Sequence, residues 1–385
     1  MCGVWIVWRL DTATQEIIDS MDLVMLVSLL NAGTLSIALL GCLIFIMTPA
    51  YRGVCMLLAL VGLAALANLF EDLHISRELH LISPIFVLGY GPALYFAVKR
   101  LMVGSVGYQA IWHFLPMLLV LPFTAHTQSI IAVGTLWRIG YALLTLKLII
   151  EFNRQLTTQR SDAAEVSLAW LGWLIGISTL FSALDLVRLN FQPELGAYWN
   201  TIGYAASRII FFIILLLLIV LLNNRRAALE TLAESETLTG STISKPSLIN
   251  IEPKQNEESA ADYQSLFAIL DKEIRAQNWY CQPRLTLNQL ADLSSMTTRD
   301  ISRCINLVAG ISFNDYINQH RIEQIKHRLQ ADSDTNLTNL AFAAGFSSKA
   351  TFNQSFKKAT GMTPSEFRNQ QQVQNQDSSR LLSRD

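Results

Sequence analysis

Seven long apolar stretches occupy most of the first 222 residues of this 385-residue chain, and they restrict its fold more than any other feature. A helix needs about 20 apolar residues to cross a bilayer, because the hydrocarbon core is about 30 Å thick. Five stretches meet this requirement, and the second is slightly short. Backbone groups find no water inside a bilayer, so such segments fold as helices. The stretches are 23–47, 53–70, 79–98, 110–123, 129–150, 166–187 and 199–222.

The fourth stretch is the weakest, because Pro116 interrupts its 14 residues. If it enters and leaves the membrane on one face, six spans remain and one end of the chain changes side. Loop charges favour seven spans with the N-terminus outside, since positive residues concentrate on the cytoplasmic side of membrane proteins. Only Arg9, Arg77 and Arg188 then lie outside, and the C-terminal part lies in the cytoplasm. The positive residues inside are Arg52, Lys99, Arg100, Arg154, Arg160, Arg225 and Arg226.

Polar segments flank the seven-span domain, which we assign to residues 23–222. Residues 1–22 are predicted to be an extracytoplasmic tail, since they lack the basic start and cleavage site of a signal peptide. Residues 223–259 are predicted to begin as a polar juxtamembrane helix and to continue, from Thr239, as a disordered tether rich in Ser, Thr, Pro, Asn and Glu. The glutamine-rich residues 373–385 are predicted to be a disordered tail.

Two helical patterns separated by a break occupy residues 336–368, which read NLTNLAFAAGFSSKATFNQSFKKATGMTPSEFR. The first pattern ends at Gly345, and Ser347 and Ser348 precede the second helix, whose free amide groups they can cap. The second helix carries Phe352, Phe356 and Ala359 on its inner side and Lys349, Thr351, Gln354 and Lys357 on its outer side. This pattern predicts a helix-turn-helix unit, whose second helix can lie in a DNA major groove.

The same construction occurs earlier in the chain, where residues 287–291 predict a first helix and residues 294–298 a turn. The helix after this turn carries Ile301, Ile305 and Val308 inside and Arg299, Ser302, Arg303 and Asn306 outside. Residues 313–330 join the two units as an amphipathic helix. Its 18 residues extend roughly 27 Å, somewhat short of one DNA turn. One chain could therefore place two reading helices in successive grooves.

These residues resemble the AraC-type (arabinose-regulator) transcription factor family over roughly residues 284–368. The resemblance rests on LTLNQLADLSSMTTRDISR, which is similar to the first motif, on GISFNDYINQHRI for the joining helix and on AAGFSSKATFNQSFKKATGMTPSEFR for the C-terminal signature. It implies a DNA-binding domain, here residues 260–372. Many members have Arg where this chain has Gln354, and Gln prefers adenine where Arg prefers guanine. The implied DNA contacts are Arg299, Ser302 and Arg303 in the first unit and Lys349, Ala350, Thr351 and Gln354 in the second.

Charge, cysteines and motifs argue against several other functions. Residues 260–385 hold 14 Lys or Arg against 12 Asp or Glu, so this part is weakly basic and should bind nonspecific DNA weakly. The five cysteines show no metal-ligand spacing and no disulfide framework, and Cys304 is expected in the core. No HExxH, GxSxG or phosphate-binding loop occurs, so we predict no enzyme activity and no cofactor.

Ionisable residues inside the predicted spans indicate a second site. Charged groups deep in a bilayer are costly unless they are paired or solvated. We hypothesise an outward-facing pocket whose occupancy is the signal. The alternative is a set of structural ion pairs, or of side chains that reach the membrane interface. The residues concerned are Arg138, Arg208, Asp185, Glu71 and Asp72, together with Asn68 and Asn200.

A smaller cluster consists of His74, Glu78 and His80, close behind Glu71 and Asp72 in a predicted outer loop. Histidine and carboxylate groups of this kind can bind zinc. The spacing fits no defined metal site, so we interpret the segment as an ordinary polar loop and predict no bound metal.

Together, these patterns predict an all-α protein with a seven-helix transmembrane N-terminal domain and a cytoplasmic module of two helix-turn-helix units. The predicted function is a one-component transcription regulator of the bacterial cytoplasmic membrane that senses a signal through its spans. Candidate partners are promoter DNA, the lipid bilayer, a small-molecule or envelope signal, RNA polymerase and a second copy of the chain. The alternative is a transporter or receptor whose cytoplasmic module docks a protein partner. A third interpretation is that proteolysis near the tether releases the module.

Overall fold

The computed structural model describes residues 2–73, 75, 81–191, 194, 197–239, 260–331 and 335–382. All regular elements in these residues are helical, in agreement with the prediction. The chain divides into two compact units. The first comprises Met1–Ile149 and Ala169–Asn250, and the second comprises Ile150–Leu168 and Ile251–Asp385.

Long apolar helices form the first unit. In the described residues, six helical segments are long and apolar enough to cross a bilayer: Val24–Phe45, Pro49–Asp72, Ser83–Met102, Thr127–Gln159, Ala163–Asn190 and Trp199–Arg226. We number the α-helices from the N-terminus as α1 (Cys2–Phe45), α2 (Arg52–Asp72), α3 (Phe86–Val103), α4 (Leu115–Leu119), α5 (Thr127–Gln159), α6 (Ala163–Val166), α7 (Ala169–Asn190) and α8 (Ala197–Thr239).

Four of these helices, α1, α2, α3 and α8, share one buried core. Phe45 at the end of α1 stacks on Tyr51, with the ring centroids 5.1 Å apart. Gly53 lets α2 and α3 approach closely, because a methyl group at this position would lie 2.8 Å from the Cα of Ala97. Small residues at such crossings allow the close packing on which helix association in a bilayer depends.

The fourth predicted span is not a continuous helix. Tyr108–Phe114 and Leu121–Phe123 are 3-10 helices, and α4 between them has five residues. Pro116 and Pro122 explain this geometry, because proline lacks an amide hydrogen and interrupts a helix. The prediction of seven regular spans is therefore corrected to six long apolar helices and one irregular apolar segment.

The irregular segment packs along α3 and runs in the opposite direction. The ring of His113 lies 5.1 Å from the ring of Phe96, measured between centroids. Further along the segment, Met117 packs at Gly89, nearer the start of α3, where a methyl group would come within 2.5 Å of the methionine sulfur. His113 is also hydrogen-bonded to the hydroxyl of Tyr141 in α5.

Helices extend into both terminal segments of the chain. α1 begins at Cys2, so the predicted tail 1–22 is helical from residue 2. The predicted disordered tail is helical to Leu382, because a helix begins at Pro364 behind Thr363 and continues through glutamines, which favour helix. The predicted polar extension after Arg226 is also helical, as part of α8. Residues 240–259 of the predicted tether lie outside the described residues.

Further helices form the second unit, and one central helix among them contributes to two buried cores. Besides α6, they are α9 (Ala260–Gln277), α10 (Leu287–Ser294), α11 (Thr298–Cys304), α12 (Phe313–Ala331), α13 (Leu337–Ala343), α14 (Lys349–Thr360) and α15 (Pro364–Leu382). α12 corresponds to the predicted joining helix at 313–330. Its first half contributes Phe313 and Ile317 to one buried core, and its second half contributes Ile325 and Leu329 to another. Each core holds one of the predicted helix-turn-helix units.

Candidate functional site

The first helix-turn-helix unit consists of α10 and α11. α10 begins with a capping box, in which the Thr286 hydroxyl accepts a hydrogen bond from the Gln289 amide (3.2 Å) and the Gln289 side chain accepts one from the Thr286 amide (2.9 Å). Ser295 turns the chain with a φ of 55°, and the Thr297 hydroxyl caps α11 by accepting from the Asp300 amide (3.1 Å). These caps fix where both helices begin.

The four side chains predicted to face DNA from this unit differ in exposure. Arg299 and Asn306 are exposed, whereas Ser302 and Arg303 are half-buried. Arg303 donates a hydrogen bond from Nη1 to the hydroxyl of Tyr263 in α9 (3.2 Å). The side-chain amide of Asn306 donates to the Ser302 hydroxyl (3.3 Å). Arg299 is therefore the more accessible of the two arginines on this helix.

The inner face of the first unit agrees with prediction only up to Ile305. Ile301, Cys304 and Ile305 are fully buried, as predicted, but Val308 is 36% exposed. α11 ends at Cys304, and Ile305–Ala309 continue as a π-helical turn. Such a turn uses i to i+5 hydrogen bonds, so the residues after it are rotated away from the face that α-helical spacing predicts.

The second helix-turn-helix unit consists of α13 and α14. The side chain of Asn336 caps α13 by accepting hydrogen bonds from the Thr338 and Asn339 amides at 2.8 and 3.3 Å. Gly345 ends this helix with a φ of 95°, and a methyl group there would lie 2.6 Å from the carbonyl oxygen of Cys281. Both the backbone conformation and the available space therefore require glycine.

The outer face of α14 carries the second set of predicted DNA contacts, and all of these except Thr351 are exposed. The Thr351 side chain is buried, with the residue only 5% exposed, so its predicted outward position is wrong. Its hydroxyl is hydrogen-bonded to Ser348 at 3.0 Å and to Glu165 at 3.2 Å, and these two side chains cover it. The exposed contacts are Lys349, Ala350, Gln354 and Lys357.

The inner face of α14 uses a different residue from the one predicted at its end. Phe352 and Phe356 are buried, in agreement with the prediction, but Ala359 is exposed. Phe367 of α15 packs against Phe356 instead, with ring centroids 5.5 Å apart. The phenyl ring fills the space that the sequence pattern assigns to the alanine.

A short segment between two apolar helices makes contacts in the second unit that sequence analysis missed. The Ser161 amide donates a hydrogen bond to the Leu285 carbonyl (3.0 Å), and the Asn314 side chain donates to the Ser161 carbonyl (2.7 Å). The carboxylate of Glu165 accepts hydrogen bonds from the hydroxyls of Ser347 (2.7 Å) and Thr351 (3.2 Å). The only sequence signal is the presence of acidic residues in a loop predicted to be positive.

Arg321 is buried at the centre of the second unit, where it is 1% exposed. Its guanidinium donates hydrogen bonds to the carbonyls of Tyr280 (2.7 Å) and Gln282 (2.8 Å), to the side chain of Asn318 (3.1 Å) and to the hydroxyl of Ser161 (3.3 Å). Burial lowers the pKa of Arg321 to about 10. The side chain therefore stays charged at neutral pH and holds three separate segments together.

A cavity of about 520 Å³ lies among the helices of the first unit. This volume is within the range of small-molecule sites. The structure brings all five predicted pocket residues to its wall, together with Asn68. Asn200 instead accepts hydrogen bonds from Arg188 through its backbone and side-chain oxygens, at 3.3 and 3.4 Å. The five residues are Arg138, Arg208, Asp185, Glu71 and Asp72.

The carboxylates of the cavity wall have polar partners within the protein. Glu71 accepts hydrogen bonds from Ile82 and Ser83, Asp72 from Asn31, and Asp185 from Arg188 and Ser207, at distances between 2.6 and 3.1 Å. Each of the three carboxylates therefore has hydrogen-bond donors within the protein, and Asp185 also pairs with the charged Arg188.

The two deep arginines likewise have neutral partners. Arg138 donates to the Ser178 carbonyl (3.2 Å), and Arg208 donates to the side chain of Asn68 (3.0 Å) and to the hydroxyl of Tyr204 (2.6 Å). Among the described residues, neither guanidinium forms an ion pair within 4.0 Å of a carboxylate. In the described part of the chain, no direct ion pair therefore neutralises the charge of Arg138 or of Arg208.

The His74, Glu78 and His80 cluster lies outside the described residues. In the part of the chain that the structure describes, no group of three or more His, Cys, Asp or Glu side chains could hold a metal ion.

Comparison with known proteins bears on the second unit. The helix-turn-helix domain family matches residues 290–370, which contain α11 to α14. Over 116 residues the chain is 31% identical to the HTH-type transcriptional activator RhaS of Pectobacterium carotovorum, an alignment that covers 30% of this chain and 40% of that protein. The C-terminal part of this chain is an AraC-type helix-turn-helix domain.

The AraC-type domain is also similar to the melibiose operon regulatory protein of Escherichia coli, with 24% identity over 132 residues, which are 34% of this chain and 43% of that protein. A solved structure of a Listeria innocua protein of unknown function is 26% identical and covers 27% of this chain and 94% of that one, with a TM-score of 0.24. The chain spans only 40% of the length of the RhaS relative. Both named relatives are regulators, which agrees with the prediction of a non-enzymatic protein.

Proposed function

We propose that this chain is a membrane-bound, one-component transcription regulator of the bacterial cytoplasmic membrane. Its apolar helices receive a signal, and its AraC-type domain binds promoter DNA. The observation that carries the proposal is the presence in one chain of six apolar helices of membrane-spanning length and two capped helix-turn-helix units. A regulator built in this way needs no phosphorylation step.

In the proposed topology, the irregular segment Tyr108–Phe123 makes a seventh crossing. A 3-10 helix rises about 2.0 Å per residue against 1.5 Å in an α-helix, so the segment extends roughly 28 Å, close to the thickness of a bilayer core. Its antiparallel packing on α3 supports a crossing, as do the loop charges. Cysteines introduced at Gly107 and His126 should react with impermeant reagents from opposite faces. Labelling of both from one face would contradict the crossing.

The proposed DNA-reading surface consists of the exposed side chains of α11 and α14. Arg299 lies on the first helix, and Lys349, Gln354 and Lys357 lie on the second. Arg303 can read a base only after it gives up its hydrogen bond to Tyr263. Contacts with RNA polymerase and with a second copy of the chain stay predictions.

The DNA claim is tested by exchanging the side chain at Gln354. Detergent-solubilised full-length protein is first used to select its operator from genomic fragments. Gln354→Arg should then move the preference at one base pair from adenine to guanine, because Gln and Arg make bidentate contacts with these two bases. Each mismatched combination should bind about 10- to 100-fold more weakly than the matched one.

Gln330→Arg provides the matched control, because residue 330 is an exposed glutamine on α12 and gains the same charge. It should leave the base preference unchanged. If the parent selects no fragment, or if Gln354→Arg changes affinity for all sequences alike, the proposed role of α14 in reading DNA is wrong.

The proposed signal site is the cavity of the first unit. Its wall includes residues of α5, α7 and α8, so a ligand bound there would favour one packing of these helices over another. The change in packing would alter DNA binding or self-association of the AraC-type domain.

A further inference from the structure

We infer that the cavity of the first unit binds an amphipathic anion, a molecule with a carboxylate or phosphate head and an apolar tail. The inference rests on the proposed signal site and names the chemical class of its ligand. It follows from the charges of the cavity wall and from where the polar and apolar residues lie along the helices.

The first argument is the balance of charge. Of the acidic wall residues, Asp185 is paired with Arg188, and Glu71 and Asp72 accept hydrogen bonds from neutral groups of the protein. Arg138 and Arg208 donate only to neutral groups in the described residues and face the same cavity. Each guanidinium also lies over an aromatic ring, with Arg138 5.1 Å from Phe211 and Arg208 4.7 Å from Tyr204. Aromatic faces offset only part of the cost of burying a cation. Both guanidiniums therefore favour an oxyanion in the cavity, since an arginine can bind it with two parallel hydrogen bonds.

The second argument is the distribution of polarity. The polar wall residues that can face an anionic head are Asn68, near the end of α2, and Tyr204 and Arg208, in the first third of α8. Towards the opposite ends of these helices the wall becomes apolar, with Leu57 in α2 and Leu218 in α8. From Tyr204 to Leu218 a helix rises roughly 21 Å. A polar end followed by a long apolar groove matches a charged head joined to an aliphatic tail.

The test uses full-length protein in an uncharged maltoside detergent, with dodecanoate and dodecyl phosphate as probes. Dodecyltrimethylammonium, which has the same tail and the opposite charge, is the control ligand. Both anions should saturate the protein in a direct binding measurement, and the cation should bind at least about tenfold more weakly. Acetate and inorganic phosphate distinguish the source of the ligand, because a lipid-derived ligand requires the tail whereas a free metabolite does not.

Variants connect the binding to the two arginines. Arg208→Gln and Arg138→Gln should each weaken binding of dodecanoate by about 10- to 100-fold, as expected for the loss of a charge-assisted hydrogen bond. Arg208→Lys retains the charge and should retain most of the affinity, and Arg154→Gln, an exposed site away from the cavity wall, should have no effect. Equal binding of anionic and cationic amphiphiles, or unchanged affinity in both Gln variants, would overturn the inference. These measurements do not involve DNA, so they stand apart from the proposed gene regulation.

A different set of contacts points independently to a built-in competitor of DNA. The geometry assigns this role to residues 160–168, a segment of the second unit that lies between α5 and α7 in the sequence. All the contacts concerned lie within the second unit. The competing group is the carboxylate of Glu165.

The site of Glu165 is where a DNA phosphate would bind. Its carboxylate accepts hydrogen bonds from the hydroxyls of Ser347 and Thr351, which flank the first residues of α14. The N-terminus of a helix carries a partial positive charge, and hydroxyls near it commonly contact DNA phosphates. A carboxylate held at this point occupies the donors and repels the DNA backbone.

Residues 160–162 are held in place by burial and hydrogen bonds, so Glu165 is positioned to compete with a DNA phosphate. Ser161 and Asp162 are almost completely buried, and Arg160 pairs with Thr286 in an isolated antiparallel bridge. Asn314 donates hydrogen bonds to the carbonyls of Arg160 and Ser161 at 3.2 and 2.7 Å. DNA binding through Thr351 therefore requires Glu165 to move away from α14.

The inference is tested by removing the negative charge of Glu165. Glu165→Gln preserves the shape and removes the charge, so it should raise the affinity of the full-length protein for its operator by about tenfold. Glu151→Gln makes the same change at an exposed position shortly before the segment and controls for net charge. A gain in Glu165→Gln that exceeds the gain in Glu151→Gln supports the inference. Equal gains, or no gain in either variant, would overturn it, while operator binding by the parent keeps the proposed DNA-binding function separate.

Discussion

Replacing Arg321 by methionine should lower the free energy of unfolding of the second unit by about 3–5 kcal/mol, since one partner of a buried charged network is lost. The carbonyls of Tyr280 and Gln282 would lose their donor, as would the side chain of Asn318. Tyr280 and Asn318 are buried with the arginine, so water cannot readily replace the guanidinium at these two acceptors. Methionine has a similar length, which limits the contribution of an empty cavity to the loss.

The measurement is pulse proteolysis in urea on full-length protein in detergent, detecting a tag at the C-terminus. This readout follows unfolding of the second unit in the intact chain. Arg328→Met, an exposed arginine on the same helix, should shift the midpoint little. If both variants unfold at the same urea concentration, Arg321 does not hold the unit together.

Replacing Gly345 by alanine should destabilise the second unit by about 3 kcal/mol or more, because two costs combine. A left-handed backbone costs an L-residue roughly 1–2 kcal/mol. The added methyl group would also lie 2.6 Å from the carbonyl oxygen of Cys281, and this neighbour is backbone, which cannot rotate aside. The chain between α13 and α14 would have to shift.

Gly310→Ala separates these two costs. Gly310 also has a positive φ, of 68°, but no atom of the described residues lies within 4 Å of an added methyl group. It should therefore show the backbone cost alone, about 1–2 kcal/mol, in the same proteolysis experiment. Equal losses in the two variants would mean that the approach to Cys281 carries no cost.

The fold class was predictable because its signals are local. The apolar lengths predict membrane helices, and the capping residues Thr286, Asn336 and Ser348 lie where the helices of both units begin. The errors have local causes, in backbone geometry, and one cause in the packing of separate helices. Two prolines turn the fourth apolar stretch into 3-10 helix, a π-helical turn exposes Val308, and Phe367 takes the position assigned to Ala359.

The candidate sites show the same division. Periodicity predicts the exposed residues Lys349, Gln354 and Lys357, since their positions depend on one helix. The burial of Thr351 depends on Glu165, which is 186 residues away in the chain. The five charged residues that line the cavity could be picked out from the sequence, because charged residues are rare in apolar spans. Neither the size of the cavity nor the absence of carboxylate partners for Arg138 and Arg208 in its described wall follows from spacing.

The way Ser161 is embedded among later residues has a practical consequence for biochemistry. A truncated protein that starts at residue 251 would omit Ser161, one of the two acceptors for Nη2 of Arg321, and Arg160, the bridge partner of Thr286. Such a preparation would lack residues 150–168 of the second unit. Glu165 would be absent, so it could not compete with DNA. Affinities measured on the excised piece would describe an unrestrained protein, and only the intact chain can report how the restraint is lifted.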